Sequence, residues 1–197
     1  MIGRGWWCPA CDAAVHRVSV DDVRDLELPG GRTLRCVAWA VYEPPLRDAI
    51  HALKYDGVPH VAGPLGRAMV AAWQASPLAG SIDLIVPTPL HRSRRRERGY
   101  NQSAKLAASV AQGLGVRMAA GALERWRSTA QQAQLDRDAR QTNVAGAFRA
   151  GSKSVAGRSV LLIDDVMTTG ATLRACAVAL LEAGARDVAA LTAARAI

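Results

Sequence analysis

The residues with the most chemistry to offer are two adjacent carboxylates, Asp164 and Asp165, followed through Val166 and Met167 by Thr168, Thr169, Gly170, Ala171 and Thr172. The acids offer acceptors for sugar hydroxyls or for the water shell of a metal ion. The small, hydroxyl-rich turn offers backbone N–H groups. Where it feeds a helix, the positive end of the helix dipole joins them, which suits a phosphate. Together these residues describe a socket for a sugar phosphate. Paired acids at a strand end also occur in response-regulator receivers, and a Thr/Gly turn also serves as a plain tight connection. No Gly-Lys-Ser/Thr ending and no Gly-x-Gly-x-x-Gly is present, which argues against a nucleotide P-loop and a dinucleotide site.

Arginine supplies the second cluster. Arg92, Arg94, Arg95, Arg96 and Arg98 precede Gly99-Tyr100-Asn101-Gln102. So many guanidiniums cannot pack in a core, because each needs partners or water. A solvated surface turn, a bidentate clamp for pyrophosphate centred on Arg98, and a nucleic-acid backbone patch all remain open. Cysteine is the third. Cys8 and Cys11 form half of a knuckle, to which Cys36 and His16 could be added as zinc ligands. The second Cys-x-x-Cys is missing, so a metal-free segment is the plainer reading and zinc the alternative.

Elements must hold these residues in place. Val160, Leu161, Leu162 and Ile163 run without polar alternation into Asp164, as in a strand covered on both faces of a parallel sheet. Leu173, Cys176, Ala177, Leu180 and Leu181 then recur at helical spacing up to Gly184, and Val188 to Leu191 reads as a further strand. Earlier, 19–35 reads as a loop or small hairpin and 36–42 as a strand. Pro44-Pro45 opens a helix with Leu46, Ala49, Ile50 and Leu53 on one face. Lys54, at its end, is either a solvated lysine facing the dipole or a phosphate contact. Helices are expected over 65–73 and 103–112, a strand over 82–86 and an edge strand over 123–126. The strand at 82–86 breaks into Pro87-Thr88-Pro89-Leu90, a rigid loop that could border a ligand. The polar stretch 129–148 lacks periodicity and carries Gln131, Gln132, Arg137, Arg140 and Asn143, which suits a closing flap.

Composition narrows the class. The chain has 197 residues, enough for one core with a small appendage. The sequence predicts a short amino-terminal segment at 1–35 and a main domain at 36–197. No run approaches membrane-spanning length and no signal peptide precedes the body, so membrane insertion is not expected and a cytoplasmic protein is. A net charge of +8 favours anionic partners, polyphosphates or nucleic acid.

Four segments in order, PLRDAIHALKY, RRRERGYNQS, TAQQAQLDRDARQTNVAGAF and VLLIDDVMTTGAT, resemble the ComF family, bacterial competence-associated proteins with a type I phosphoribosyltransferase domain. The resemblance covers about 36–197. It implies an α/β fold with a parallel sheet flanked by helices, behind a small knuckle-like amino-terminal segment. It implies that Asp164 and Asp165 accept from ribose hydroxyls, that Thr168, Thr169, Gly170, Ala171 and Thr172 cradle the 5-phosphate, and that Val166 and Met167 also line the ligand. The loop from Pro87 to Leu90, with Thr88 and Pro89 as ligand-binding residues, would lie under the pyrophosphate, and Thr129 to Asn143 would close over it. Phosphoribosyl pyrophosphate would arrive with Mg2+, and the phosphoribosyl group would pass to an unidentified acceptor through an oxocarbenium-like transition state, with Asp164, Asp165 and Arg98 as the central residues. The alternative is a non-catalytic sensor or DNA-uptake accessory protein that binds single-stranded DNA or a DNA-handling partner.

Overall fold

A computed structural model of the chain describes residues 8–127 and 146–197. In chain order the elements are α1 (Pro9–Ala13), β1 (Arg24–Glu27), β2 (Thr33–Val41), α2 (Leu46–Tyr55), α3 (Ala62–Ala75), β3 (Leu84–Pro87), α4 (Arg92–Arg98) and α5 (Gln102–Leu114). They continue as β4 (Leu123–Arg125), β5 (Phe148–Ala150), α6 (Ser152–Val155), β6 (Ser159–Met167), α7 (Ala171–Glu182) and β7 (Asp187–Arg195).

Five strands form the main sheet in the order β1-β2-β7-β6-β3. β2, β7, β6 and β3 run parallel, and β1 closes one edge antiparallel to β2. The expected parallel α/β sheet is therefore present with an antiparallel edge. That edge is a hairpin within 19–35: Leu26, Leu28 and Leu34 are buried, and apolar burial draws a stretch rich in charge into the sheet. Residues 24–27, ahead of the boundary expected at 36, thus pair with β2.

The apolar tetrad of β6 is fully buried. Side chains alternate across a strand. Leu161 and Ile163 join the core under α2, α3 and α5. Val160 and Leu162 join a second core with α7 and the β4–β5 hairpin. Each such side chain contributes about 1.5–3 kcal/mol by leaving water. Leu46, Ala49, Ile50 and Leu53 are the buried stripe of α2, as their spacing predicts.

The arginine run is a helix, α4, rather than a turn. His91 accepts from the Ser93 N–H at its start, and Gly99 closes it in the left-handed region at φ 79°. The edge strand expected at 123–126 pairs with β5, whose first residue, Phe148, lay at the end of the polar stretch. Among the described residues no helix is long and apolar enough to cross a membrane.

Candidate functional site

β6 does not stop at the acids. Asp164 and Asp165 lie inside it, and it runs on to Met167 along β7. The difference from expectation arises on the other flank. β3 pairs with β6 only as far as Pro87 opposite Ile163, and the Thr88 N–H makes the last bond to the Ile163 carbonyl at 2.9 Å. From Asp164 onward β6 has lost that neighbour, so the acids sit where the sheet opens at its carboxyl end.

Both acids are buried, Asp164 at 8% and Asp165 at 4% exposure. Alternation sends them to opposite faces. Lys54, in the last turn of α2, places Nζ 2.9 Å from Asp165 Oδ1. Burial pushes the Lys54 pKa down, and the Asp165 charge more than reverses this, holding the ammonium protonated. Asp164 Oδ1 accepts from Ser103 Oγ at 2.8 Å and from the Asp165 N–H at 2.9 Å. Burial, then the Asp165 charge, pushes Asp164 up to about 7. Three buried polar atoms at this end have no partner among the described residues: Asp165 Oδ2, Thr88 Oγ1 and Thr192 Oγ1. Thr192 is the β7 residue paired with Asp164. Orphaned groups in a native core are few, and a cluster of them marks where a ligand would supply partners.

The segment after α4 ties the surrounding elements to the acids. Tyr100 Oη donates to the Leu53 carbonyl, fixing the turn of α2 that carries Lys54. Asn101 Nδ2 donates to the Thr88 carbonyl at 3.0 Å, while its Oδ1 caps α5 by accepting from the Ser103 N–H at 3.0 Å. Ser103, one residue into that helix, then reaches Asp164. Lys54, Tyr100, Asn101 and Ser103 are the site residues that motif spacing alone did not assign. Their signal was present in the ALKY and GYNQS segments, but only folding shows which atoms they meet.

Downstream of the acids, Thr168 is exposed, Thr169 half-buried and Gly170 buried. Gly170 holds φ 75° at the N-cap of α7, and a Cβ there would stand 2.5 Å from Leu26 Cδ1. Only glycine fits both the backbone and the space. Thr169 Oγ1 accepts from the Ala171 N–H at 3.4 Å. The first-turn N–H groups of α7 have no helical acceptors, and at this position they suit an anion.

The arginines separate by face. Arg94 and Arg98, one helical turn apart, line a cavity of about 200 Å³ with Lys54, Tyr55, Gly57 and Glu97. Arg98 donates to Gln102 Oε1 and stacks 5.0 Å from the Tyr55 ring centre. Arg92 turns away to Glu124 of β4 at 2.9 Å. Arg95 and Arg96 are exposed.

The alternative zinc set of Cys8, Cys11, Cys36 and His16 does not assemble among the described residues. Cys36 lies inside β2 at 1% exposure, where burial pushes its thiol up to about 12. It is sealed there by the same apolar contacts that hold the β1–β2 hairpin. Cys8 is exposed and caps α1, accepting from the Cys11 N–H at 3.3 Å, and His16 pairs with Glu43 at 2.9 Å. Among the described residues no three His, Cys, Asp or Glu side chains gather to hold a metal. Gln131, Gln132, Arg137, Arg140 and Asn143 lie outside the described residues.

Comparison with known proteins agrees with this arrangement. The phosphoribosyl transferase domain family matches residues 100–196, from the tyrosine that fixes α2 to the end of β7. DNA utilization protein YhgH of Escherichia coli (strain K12) is 34% identical over 192 residues, spanning 92% of this chain and 80% of that protein. Competence protein F of Haemophilus influenzae is 30% identical over 152 residues, 75% of this chain and 66% of that protein. Among solved structures, a glutamine phosphoribosylpyrophosphate amidotransferase from B. subtilis superposes at a TM-score of 0.50 with 20% identity. The match covers 72% of this chain but only 30% of that one, so it speaks for the fold alone. A sheet opening at two buried acids above a Thr/Gly turn, joined to relatives of this identity and coverage, makes the chain a member of the ComF family, built on a type I phosphoribosyltransferase domain.

Proposed function

We propose that the protein binds phosphoribosyl pyrophosphate with Mg2+ and transfers the phosphoribosyl group to an acceptor, releasing pyrophosphate. The carrying observation is the pair of buried acids beside the Gly170 turn, with Asp165 Oδ2 lacking any partner among the described residues. In this reading Asp164 and Asp165 accept from the ribose hydroxyls, and the N–H groups and hydroxyls of Thr168 to Thr172 hold the 5-phosphate. Lys54 keeps Asp165 oriented. Thr88 and Pro89 border the pyrophosphate, and Arg98, with Arg94, meets its charge as C1 develops oxocarbenium character. The uncompensated Asp165 Oδ2 also suits the waters of a hard cation, so the residues fit Mg2+. Asp164 and Asp165 would hold the ion through its waters. When bound, it supplies positive charge against the leaving pyrophosphate. We place this activity in the cytoplasm.

A second reading has its own support: the names of the relatives refer to DNA utilization and competence, and Arg95 and Arg96 stand exposed. In it the protein is a non-catalytic sensor, or it engages single-stranded DNA or a DNA-handling partner. Calorimetric titration with phosphoribosyl pyrophosphate, with and without Mg2+, followed by a panel of bases, separates the readings. Pyrophosphate release with one base supports the transferase. Tight binding without turnover supports the sensor. Absence of any binding that depends on Asp165 would sink both the transferase and the sensor and leave only the DNA-engaging alternative.

A further inference from the structure

A second concavity lies at the opposite, amino-terminal end of the same sheet, far from the acids. This open cleft has a volume of about 450 Å³, within the ~300–1,000 Å³ range of pockets that take small organic ligands. Its mouth is formed by the chain entering β2 and β7 and by Ser159, the first residue of β6.

Its lining divides by chemistry. Trp73, Leu78, Ile82 and Val188 supply an apolar wall. Arg32, Arg35, Arg186 and Asp187 supply the charged part of the lining. Arg186 is committed, pairing with Asp83 and Asp187 at 3.2 Å each. Arg32 and Arg35 are exposed, and their side chains make no ion pair or hydrogen bond among the described residues. Thr33, Ser81 and Ser159 add hydroxyls to the lining.

Those features match one ligand class. A phosphate monoester carries a charge near −2 at neutral pH, which two uncommitted guanidiniums neutralise with bidentate contacts. The hydroxyl band suits a sugar, and the apolar wall suits a flat ring. Inorganic phosphate would leave that wall uncovered and most of the volume empty. We propose that this cleft is a binding site for a nucleoside 5′-monophosphate, separate from the site at the acids. β6 connects the two. Ser159 borders the cleft, and Asp164 lies five residues further along, about 17 Å at the rise of an extended strand.

The test is calorimetry on the whole protein with four nucleoside monophosphates, and with inorganic phosphate alone, alongside amide chemical-shift mapping. At least one nucleotide should bind more tightly than phosphate and shift the amides of residues 32–35 and 187–189. The double variant Arg32→Ser/Arg35→Ser, at two exposed positions, should weaken that nucleotide at least about tenfold, as expected when charged hydrogen bonds are lost. Binding of phosphoribosyl pyrophosphate to this variant should be unchanged, so this site and the one at the acids can fail independently. The proposal is overturned if no nucleotide binds at about millimolar concentration, if phosphate binds as tightly as every nucleotide, or if the shifts fall on residues 168–172 instead.

Discussion

Lys54 and Asp165 form an ion pair in which both side chains are largely out of water, at 19% and 6% exposure. Removing one partner leaves the other charge buried and uncompensated, which costs about 3–5 kcal/mol, whereas an apolar pair of similar volume is often tolerated. Lys54→Met should therefore destabilise the protein by roughly 3 kcal/mol in urea unfolding. Lys54→Met/Asp165→Leu should recover most of that loss. A loss in the double variant equal to the sum of the losses in Lys54→Met and Asp165→Leu alone would mean that the pair is not a coupled unit. Asp164 makes a different prediction. Its folded pKa, about 7, lies above its ordinary 3.8, so the folded state holds the proton longer than the unfolded chain. Its contribution to stability must then fall as pH rises from about 4 to about 7 and level off above that. Unfolding curves in metal-free buffer should lose this downward component in Asp164→Asn.

At the scale of elements, the Gly170 turn and the cap of α5 matter most. Gly170→Ala would force a side chain into left-handed backbone, at about 1–2 kcal/mol, and against Leu26 of β1. Lower thermal stability and weakened binding of phosphate-bearing ligands are the expected outcomes. Wild-type affinity in that variant would remove the turn from the binding site. Asn101 serves two elements at once, capping α5 and holding the Thr88 carbonyl. Asn101→Ala should cost about 1 kcal/mol or more in unfolding free energy. It should also loosen Ser103 from Asp164, visible as a change in the pH dependence of stability just described.

For the whole molecule, the net charge of +8 is spread unevenly in function as well as in space. α4 offers Arg94 and Arg98 to the cavity beside Lys54 and leaves Arg95 and Arg96 in solvent. Arg98→Ala should reduce phosphoribosyl-pyrophosphate affinity, whereas Arg95→Ala/Arg96→Ala should leave it intact. If the protein binds single-stranded DNA through these exposed side chains, the double variant should reduce the salt slope of that binding by about two, one for each neutralised charge. Loss of phosphoribosyl-pyrophosphate binding in the double variant, with Arg98→Ala unaffected, would reverse the assignment.

Local order was legible in the sequence because burial and period leave direct marks on residue type. The unbroken tetrad from Val160 to Ile163 could only be a strand covered on both faces. The spacing of Leu46, Ala49, Ile50 and Leu53 specified one helical face, and the Thr/Gly run to Thr172 marked a turn, although its intolerance of a side chain at Gly170 came from the approach of Leu26. The family was legible on other grounds, the resemblance of four motifs in a fixed order. Tertiary structure decided what no period encodes. β3 ends one residue before the acids, and that leaves Asp164 and Asp165 without a strand neighbour on one flank, inside a strand that continues past them. Lys54 meets Asp165 because α2 packs over the face that Asp165 shares with Ile163, although the two are distant in sequence. The β1–β2 hairpin buries Cys36 and removes it from Cys8 and Cys11. Each of these outcomes depends on where one strand stops relative to its neighbour or on which layer covers which face. Such non-local registers are fixed by the packing of the whole core, not by the residues that happen to stand beside one another in the chain.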